Sequence, residues 1–373
     1  MKIALYGGSF DPVHAAHIEV AKTALRKQVA DEVWMIPTYQ NPWKTQASAS
    51  YAERVAMLKA AIKPYRHIKV STIEASLAGI SYTIDTLKEL MKRYPQVHFC
   101  YLIGSDQAQS LVKWKDSAEL VKLVSFYVFT RSEEAIDCPY PLHLIPMKIM
   151  PISSTQVRMG AFSLAAKGVK RIIAAKGLYL EQWVRSCMSE KRYRHSVSVA
   201  KLAQEIAACH HLDVHKAWMC GMLHDVCKEM PYEESKRWMM RYHPQFMHQA
   251  PAIWHGYIGA HFVETKYGVY DHDILSAIYH HVLGKGTGVY AKLLYVCDKL
   301  DPLRPYDSSA AIALCKQDLD KGFRTVKAQQ LAYLKKEQVE AIAVCYINSY
   351  ANEEHERKTV EKIKELWPEV YVC

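Results

Sequence analysis

Two glycines and two histidines near the start of the chain have the spacing of a phosphate-binding site. Gly7 and Gly8 follow the apolar run 3–6, a helix is expected to start just after them, and His14 and His17 lie one helical turn apart. Glycine lets a backbone come close to a phosphate, and a helix N-terminus favours an anion. The segment therefore predicts a strand, a phosphate-binding loop and a helix whose imidazoles face the bound phosphate.

The second half of the chain carries a different set of reactive groups, namely imidazoles and carboxylates. In chain order they are His195, His224, Asp225, His255, His280, His281 and Asp298, with Lys228 shortly after the adjacent His-Asp pair. Such ligands suit iron, manganese or another divalent metal better than a thiolate site would. A His-Asp dipeptide alone is weak support. With a histidine upstream and an aspartate downstream, it favours a metal centre built from several helices.

The elements that must position these groups differ between the two halves. Up to about residue 183, helical stretches alternate with predicted strands at 3–6, 32–37, 68–71, 98–103, 126–130 and 143–145. This alternation is typical of an α/β, Rossmann-like fold with a doubly wound parallel sheet, where ligands bind at the carboxyl ends of the strands. After residue 181 amphipathic helical patterns replace the strands, which predicts an all-α second domain.

Length and histidine distribution also predict two domains. The chain has 373 residues, half of them hydrophobic, and single cores stop growing at roughly 250 to 300 residues. Five of the 18 histidines precede residue 185 and the others follow it. We place the domains at 1–185 and 186–373, and the second is expected to end in a helical tail, 306–373, without an interpretable motif.

Charge, cysteines and hydropathy exclude several classes of protein. The net charge is +10, but the basic residues are dispersed and form no RNA-binding signature. The 10 cysteines include no CxxC pair, which argues against a disulfide framework or a zinc ribbon. No run approaches the roughly 18 apolar residues of a membrane span. We expect a cytoplasmic protein with anionic small-molecule substrates and neither nucleic acid nor membrane as partner. A homo-oligomer is left open.

The first half resembles the bacterial nicotinate-nucleotide adenylyltransferases of the nucleotidyltransferase superfamily. The matching segments are GGSFDPVHAAH at 7–17, PTYQNPWK at 37–44, SYTIDTL at 81–87, IGSD at 103–106 with Trp114, and ISSTQVR at 152–158. The resemblance implies transfer of AMP from ATP to nicotinate mononucleotide, giving deamido-NAD and pyrophosphate. Such an in-line attack needs positioning and charge stabilisation but no protein nucleophile.

The same resemblance implies the roles of individual residues. Catalysis would rest on His14, His17, Lys44 and Arg158, which would hold the ATP phosphates, with Mg²⁺ bound to the triphosphate. Substrate binding would involve Gly7, Gly8, Ser9, Phe10, Thr83, Gly104, Asp106, Trp114, Arg131, Ser154 and Thr155. Trp114 would stack on the nicotinate ring and Thr83 would receive its carboxylate.

Structural roles remain open for several of these residues. Trp114 could be a core aromatic, Lys44 and Arg131 solvated charges, and Asp106 a helix cap. The chain also departs from the family pattern, with Ala16 in place of a glycine and Trp43 in place of a histidine found in many relatives. Neither departure removes a charged group, so activity is expected.

Residues 188 to 305 resemble the HD superfamily of metal-dependent phosphohydrolases, and within it the YqeK-like enzymes that split diadenosine tetraphosphate into two ADP. The matching segments are KRYRH at 191–195, GMLHDVCK at 221–228, WHGYIGA at 254–260, AIYHHVLG at 277–284 and DKLDPLR at 298–304. The resemblance implies a pair of divalent metal ions, with iron preferred over manganese. The implied ligands are His195, His224, Asp225, His255, His281 and Asp298. Asp225 and Lys228 would be catalytic, and Lys228 and Arg304 would face the polyphosphate.

One ligand and the substrate have alternatives in this pattern. His281 is preferred to His280 because Ala277 and Ile278 set the register, although the two could be exchanged. The segment 282–284 replaces a Thr-x-Gly sequence common in relatives. Together, the two resemblances predict a bifunctional enzyme. The alternatives are an HD hydrolase for a nucleoside triphosphate or an alarmone, or a nucleotide sensor that regulates the first domain.

Overall fold

The computed structural model describes residues 1–40, 48–77, 79–80, 82–130, 136–148, 151–336, 341–342 and 371–372. Lys44, Trp43 and Arg131 lie outside the described residues, as does most of the tail beyond residue 336. Among the described helices, none is both long enough and apolar enough to span a bilayer.

Six strands of the first half form one sheet within the described residues. They are β1 (Lys2–Gly8), β2 (Glu32–Pro37), β3 (Ile68–Val70), β4 (His98–Gly104), β5 (Ser125–Thr130) and β6 (Leu142–Pro146). Their order in the sheet is β3-β2-β1-β4-β5-β6, and every neighbouring pair is parallel. The predicted Rossmann-like sheet and its six strands are confirmed, with ends that differ by at most two residues.

Strand β1 shows why apolar runs predicted this sheet. Ile3, Ala4 and Leu5 are all fully buried, so successive side chains on both faces of the strand are covered. Parallel strands with helices on both faces have such continuous apolar stretches. The strands before and after β1 in the sheet, β2 and β4, lead to opposite edges, so the strand order reverses at β1. The carboxyl end of β1 at this reversal is marked by Gly8, which is in register with Pro37 of β2. Ligands of doubly wound sheets bind at this switch point.

Helices connect the strands and follow them. They are α1 (Ala15–Arg26), α2 (Tyr51–Ile62), α3 (Thr83–Arg93), α4 (Ser105–Gln109), α5 (Ser117–Leu123), α6 (Ser154–Arg158), α7 (Lys167–Lys176) and α8 (Leu180–Cys187). Helix α1 buries Ile18, Ala21 and Ala24 at helical spacing. Helix α2 begins with a capping box, in which the Ser50 hydroxyl accepts from the Glu53 amide and the Glu53 carboxylate accepts from the Ser50 amide.

The second half is built from helices, as predicted. They are α9 (Glu190–Cys209), α10 (Val214–Leu223), α11 (Tyr232–Tyr242), α12 (Trp254–Phe262), α13 (His272–His280), α14 (Val289–Lys299), α15 (Ser309–Gln317) and α16 (Leu319–Lys336). A single π-helical turn, Val263–Tyr267, continues α12.

The tail differs from the helical prediction at two short segments. Ala341–Ile342 and Tyr371–Val372 form two-residue strands, β7 and β8, which pair in parallel.

Contacts between Cα atoms divide the chain into two compact units. Unit 1 comprises Met1–Arg194 and Met222–Leu275, and unit 2 comprises His195–Gly221 and Ser276–Cys373. Unit 1 thus contains the parallel sheet together with helices α11 and α12.

Candidate active sites

The loop that follows β1 is held by a buried arginine on α2. Arg54 is only 4% exposed, and it donates to the carbonyls of Ser9 (2.8 Å), Thr38 (2.9 Å) and Ala49 (3.3 Å). These carbonyls belong to the loop after β1, the end of β2 and the residue before the α2 capping box. A guanidinium presents its donors in a fixed fork, so Arg54 ties three separate segments together at the edge of the sheet.

Two residues of α6 engage the next carbonyls of the same loop. The Ser154 hydroxyl donates to the Pro12 carbonyl (2.9 Å), and Arg158 Nη1 donates to the Asp11 carbonyl (2.6 Å). A second nitrogen of Arg158 donates to the Thr155 hydroxyl (3.1 Å). The residues predicted from the ISSTQVR segment therefore lie against the loop between β1 and α1, residues 9–14. We call it the phosphate loop because it was predicted to bind phosphate. In this structure Arg158 contacts the backbone of that loop.

The Asp11 carboxylate is a third fixed point of the loop. Asp11 is buried and accepts hydrogen bonds from the amides of Ser48 (2.8 Å) and Ala49 (3.1 Å) and from the Tyr179 hydroxyl (2.7 Å). Burial and the nearby Asp11 charge raise the pKa of Tyr179, which keeps its hydroxyl protonated as a donor.

The two predicted histidines lie together at the start of α1. Their ring centroids are 3.8 Å apart, and His17 Nδ1 accepts from the His14 amide at 3.2 Å. Because Nδ1 is the acceptor, the proton of a neutral His17 ring is on Nε2. Burial lowers the pKa of His14 to about 4 and, together with the neighbouring His14, lowers the pKa of His17 well below its usual value. Both rings are therefore neutral hydrogen-bond donors near pH 7.

Aromatic rings support His17 from the strand side. The Phe10 ring is 5.0 Å from it and the Tyr6 ring 6.2 Å. Phe10 adopts a left-handed backbone conformation, with φ of 47°, which is uncommon for a residue other than glycine. This conformation lets the loop reverse and brings a buried ring under the imidazole.

Gly7 is needed for a reason that the sequence does not reveal. A Cβ atom at this position would lie 2.2 Å from the Tyr101 hydroxyl oxygen, a severe overlap. The Tyr101 hydroxyl in turn hydrogen-bonds Thr83, and the Trp114 ring lies 6.1 Å from the Tyr101 ring. Trp114 and Thr83, the two predicted nicotinate contacts, thus share Tyr101 as a neighbour. Trp114 is partly buried and packs against the hydrophobic core of the first half, which includes Tyr101 and Phe126.

Gly104 and Asp106 lie at the carboxyl end of β4. Gly104 closes the strand and Asp106 is in the first turn of α4. A Cβ atom at Gly104 would approach Asp106 Oδ1 to 2.8 Å, and the N-cap residue of α4 is Gly104, whose amide donates to Gln107 Oε1 at 3.3 Å. The predicted helix-cap alternative for Asp106 therefore does not describe this structure.

Sequence reasoning missed Arg54, Tyr101 and Tyr179. Each acts on the phosphate loop or its glycines from a distant point of the chain, and none belongs to a motif segment that we singled out. For Arg54 the sequence did hold a signal. Its helical spacing from Met57 and Leu58 places it on the apolar face of helix 51–62, where a charged residue needs partners.

Three of the predicted metal ligands belong to unit 1, namely His224, Asp225 and His255. His224 and Asp225 are buried, with His224 Nε2 3.6 Å from Asp225 Oδ2, and His255 Nε2 is 3.3 Å from Asp225 Oδ1. Arg192 Nη1 forms an ion pair with Asp225 Oδ2 at 2.7 Å. Lys228 donates to the Ala252 carbonyl at 3.0 Å. Arg192 was part of a matching segment but was not predicted as a site residue.

The other three predicted ligands, His195, His281 and Asp298, belong to unit 2. His195 Nε2 is 3.2 Å from Asp298 Oδ1, and His195 Nδ1 is 2.6 Å from Asp301 Oδ2. Hydrogen bonds from His195 and Ser198 hold the pKa of Asp301 below its ordinary value in spite of burial. Arg304 donates to the Asp298 carbonyl (2.9 Å) and lies 3.2 Å from its Oδ1. Asp301 was missed because its motif segment was interpreted through Asp298 and Arg304 alone.

Three of the predicted ligands share one orientation. Nδ1 of His195 contacts the Asp301 carboxylate, Nδ1 of His255 contacts the Ala252 carbonyl (2.9 Å), and Nδ1 of His281 contacts the Ile278 carbonyl (2.6 Å). Oxygen acceptors place the proton on Nδ1 and leave the Nε2 lone pair for a metal. Metal-bound histidines are held in this way.

Two further observations concern the metal ligands. His281 is almost fully buried, whereas His280 is partly exposed, consistent with the preference for His281. Groups of histidine and aspartate in the described residues could hold a metal ion, and imidazole with carboxylate suits a divalent transition metal.

Comparison with known proteins agrees with both halves of the chain. The family model described as Cytidylyltransferase-like matches residues 5–160, and the model described as HD domain matches residues 192–303. A Bacillus licheniformis protein named probable nicotinate-nucleotide adenylyltransferase is 39% identical over 158 residues, which are 42% of this chain and 84% of that protein.

Two relatives span both halves. Each is named probable nicotinate-nucleotide adenylyltransferase/Ap4A hydrolase. The protein of Mycoplasma genitalium is 30% identical over 320 residues, 81% of this chain and 88% of the relative. The protein of Mycoplasma pneumoniae is 27% identical over 329 residues, 84% of this chain and 95% of the relative. The two resemblances in the sequence are confirmed, and the chain belongs to the family of the nicotinate-nucleotide adenylyltransferase/Ap4A hydrolases.

Proposed function

We propose that the chain is a bifunctional enzyme. Its first half transfers AMP from ATP to nicotinate mononucleotide, and its second half hydrolyses diadenosine tetraphosphate symmetrically to two ADP. Family membership supports both activities. The domain boundary that we propose, 185/186, falls between the ranges of the two family models.

The two adjacent imidazoles at the start of α1 carry the first part of this proposal. In the reaction a phosphate oxygen of nicotinate mononucleotide bonds to the α-phosphorus of ATP, and the bond from that phosphorus to the β-phosphate oxygen breaks. Negative charge grows on the α-phosphate oxygens and on the departing pyrophosphate. His17, whose Nδ1 accepts from the His14 amide so that its proton is on Nε2, would donate to the α-phosphate, with His14 beside it. Preorganised donors in a dry site stabilise such charge strongly.

The remaining residues of the first site would bind the substrates. The backbone of Gly7 to Phe10 would approach the triphosphate, with Ser154, Thr155 and Arg158 at its other side. Gly104 and Asp106 would meet the adenosine. Lys44 and Arg131, which lie outside the described residues, would add positive charge. Mg²⁺ would neutralise phosphate charge, held mainly by substrate oxygens.

Recognition of the mononucleotide would use Trp114 and Thr83. Trp114 offers a partly buried ring that would stack on the nicotinate ring. Thr83 begins α3, where a helix N-terminus favours the nicotinate carboxylate. A nicotinamide ring lacks this negative charge, so we propose that the site prefers nicotinate mononucleotide.

The orientation of His195, His255 and His281 carries the second part of the proposal. We infer that they join His224, Asp225 and Asp298 to hold a pair of divalent ions, iron in preference to manganese. A bound pair of this kind would supply a water-derived nucleophile and polarise the scissile phosphate. Lys228 and Arg304 would contribute positive charge toward the polyphosphate, and Asp225 would hold metal and assist proton transfer.

Two separate assays test the division of labour. The purified chain is incubated with ATP and either mononucleotide, and separately with diadenosine tetraphosphate and added iron or manganese. We expect His17→Ala to lower adenylyl transfer by about 10²- to 10³-fold without changing tetraphosphate hydrolysis. Asp225→Ala should abolish hydrolysis and leave adenylyl transfer intact. His98→Ala, an exposed histidine at the other end of β4, is the matched control.

The outcomes that contradict the proposal are specific. If the wild-type chain formed no deamido-NAD, or if His17→Ala lost hydrolysis as well, the assignment of the first half would be wrong. Turnover of a nucleoside triphosphate or an alarmone without turnover of diadenosine tetraphosphate would support a different HD hydrolase. Nucleotide binding with no turnover would support a sensor.

A further inference from the structure

A buried tyrosine contacts the phosphate loop from outside every matching segment. Tyr179 precedes α8, is 6% exposed, and donates its hydroxyl to Asp11 Oδ1 at 2.7 Å. Hydrogen bonds to a charged acceptor are among the stronger ones. The Asp11 carboxylate also accepts hydrogen bonds from the amides of Ser48 and Ala49. Its position therefore fixes the loop relative to the residues that lead into α2.

The backbone around Tyr179 is held in an uncommon conformation. Tyr179 has φ of 62° and ψ of 9°, in the left-handed region, two residues after Gly177, whose φ is 61°. Left-handed conformations cost a residue with a side chain of order 1 kcal/mol and persist only where surroundings impose them. Here two hydrogen bonds impose the conformation. One joins the Tyr179 hydroxyl to Asp11, and the other is accepted by the carbonyl of the preceding residue, Leu178.

That second bond comes from the range matched by the HD model. The Tyr267 hydroxyl donates to the Leu178 carbonyl at 2.7 Å, and Tyr267 is fully buried. Its ring stacks on Trp183 with centroids 5.0 Å apart and meets Phe162 edge to face at 5.1 Å. Tyr267 ends the π-helical turn after α12. All of these residues belong to unit 1.

We propose that Tyr179 is a positioning residue for adenylyl transfer, and that Tyr267 fixes it in place. A residue of the HD range thereby supports the phosphate loop of the first site. The chain of contacts runs from Tyr267 through the Leu178 carbonyl and the Tyr179 hydroxyl to the Asp11 carboxylate. This inference rests on the proposed adenylyltransferase activity.

The mechanism of this support is geometric. Without the Tyr179 hydroxyl, Asp11 loses one of three donors and can turn toward the amides of Ser48 and Ala49. The loop on either side of Asp11, which would receive the ATP phosphates, then shifts. Because the loop binds ATP in the ground state as well as in the transition state, its displacement should weaken ATP binding more than it slows the chemical step.

Steady-state kinetics of the full-length chain test the proposal. For Tyr179→Phe we expect the KM for ATP to rise about 10- to 150-fold, the range for loss of one hydrogen bond to a charged group, with kcat within about twofold. Tyr267→Phe should raise the same KM by a smaller factor. In the double variant the increase should not exceed that of Tyr179→Phe, since both changes act along one path.

Matched controls separate positioning from general destabilisation. Tyr290 is equally buried and its hydroxyl accepts the Asp213 amide at 2.9 Å in unit 2, so Tyr290→Phe removes a comparable bond without touching the loop. It should leave the KM for ATP unchanged. Tyr179→Phe should leave hydrolysis of diadenosine tetraphosphate unchanged. A merely structural role would lower the fraction of active enzyme, and hence kcat, at constant KM.

The outcomes distinguish this inference from the function on which it rests. If the wild-type chain makes no deamido-NAD, the proposed function fails. If the wild type is active and Tyr179→Phe keeps the wild-type KM, the positioning role is wrong. Should Tyr179→Phe not fold, Tyr267→Phe decides alone: a raised KM supports the proposal and an unchanged KM overturns it.

Discussion

At the scale of single residues, the histidines of the first site are buried and uncharged. His14 and His17 lie too close for both rings to carry a charge, and burial lowers both pKa values. Neutral imidazoles can donate hydrogen bonds to phosphate without paying for desolvation of a cation beforehand. The sequence motif identified both residues, but their protonation state depends on burial, which spacing alone does not reveal.

Acid should therefore destabilise the folded chain through His14. Below pH 6.5 the unfolded chain binds a proton at this imidazole, whereas the folded chain, with a pKa of about 4, does not. Stability is then unaffected above pH 6.5 and is lost as the pH falls from 6.5 toward 4, by about 2 kcal/mol between pH 7 and 5. Denaturant unfolding of the wild type and of His14→Asn at both pH values measures this. Equal losses in the two proteins would contradict it.

A methyl group at Gly7 should damage the first site by overlap with Tyr101. We expect Gly7→Ala to cost about 1–3 kcal/mol of unfolding free energy and to lower adenylyl transfer. Tyr101→Phe in the same chain should restore part of both, since only the hydroxyl oxygen is within 3 Å of the added atom. Gly288→Ala, where nothing lies within 4 Å, is the matched control. Failure of the second change to rescue stability would show that the overlap is not the cause.

At the scale of elements, the strands were the most predictable part of the fold. Buried apolar runs such as β4, of which Phe99 to Ile103 are all buried, can be recognised without knowledge of their neighbours. Side chains that join elements cannot be recognised in this way. Arg54 lies on α2 and connects β1, β2 and the start of its own helix, and its partners are backbone carbonyls, which leave no trace in the sequence.

Replacement of Arg54 should loosen the carboxyl end of the sheet. Arg54→Met removes donors from three carbonyls, and we expect about 2–4 kcal/mol of lost stability together with a raised KM for ATP. Arg54→Lys should recover less than half of the loss, because an ammonium group cannot reach all three carbonyls in the fixed geometry of a guanidinium. Thermal unfolding and initial rates measure both effects. Wild-type behaviour of Arg54→Met would disprove the role.

At the scale of the whole molecule, the two proposed domains do not coincide with the two compact units. The boundary that we propose at 185/186 would separate the two activities, whereas unit 1 includes residues 222–275. Trp183 illustrates the difference, since its ring stacks on Tyr267 and on Phe262 at 6.0 Å. Contacts between residues some 80 positions apart follow from packing, and neither periodicity nor motif spacing could have predicted them.

A fragment that ends at residue 185 should therefore be less stable than the same residues in the full chain. Loss of the aromatic partners exposes Trp183 and Phe162, and at roughly 25 cal/mol per Å² this amounts to several kcal/mol. We expect a lower unfolding temperature and a higher KM for ATP than in the full chain. Differential scanning calorimetry and steady-state rates measure them. A fragment with the thermal stability and KM of the full chain would contradict this expectation.

The hydrogen bonds to the phosphate loop also bear on ion selectivity. The carbonyl oxygens of Ser9, Asp11 and Pro12 each accept a donor from a side chain. Hard cations require several oxygen ligands at once, and carbonyls already directed at protein donors cannot converge on an ion. The loop is therefore a poor cage for free sodium, potassium or magnesium. Magnesium would therefore bind at this site only together with the phosphates of the nucleotide.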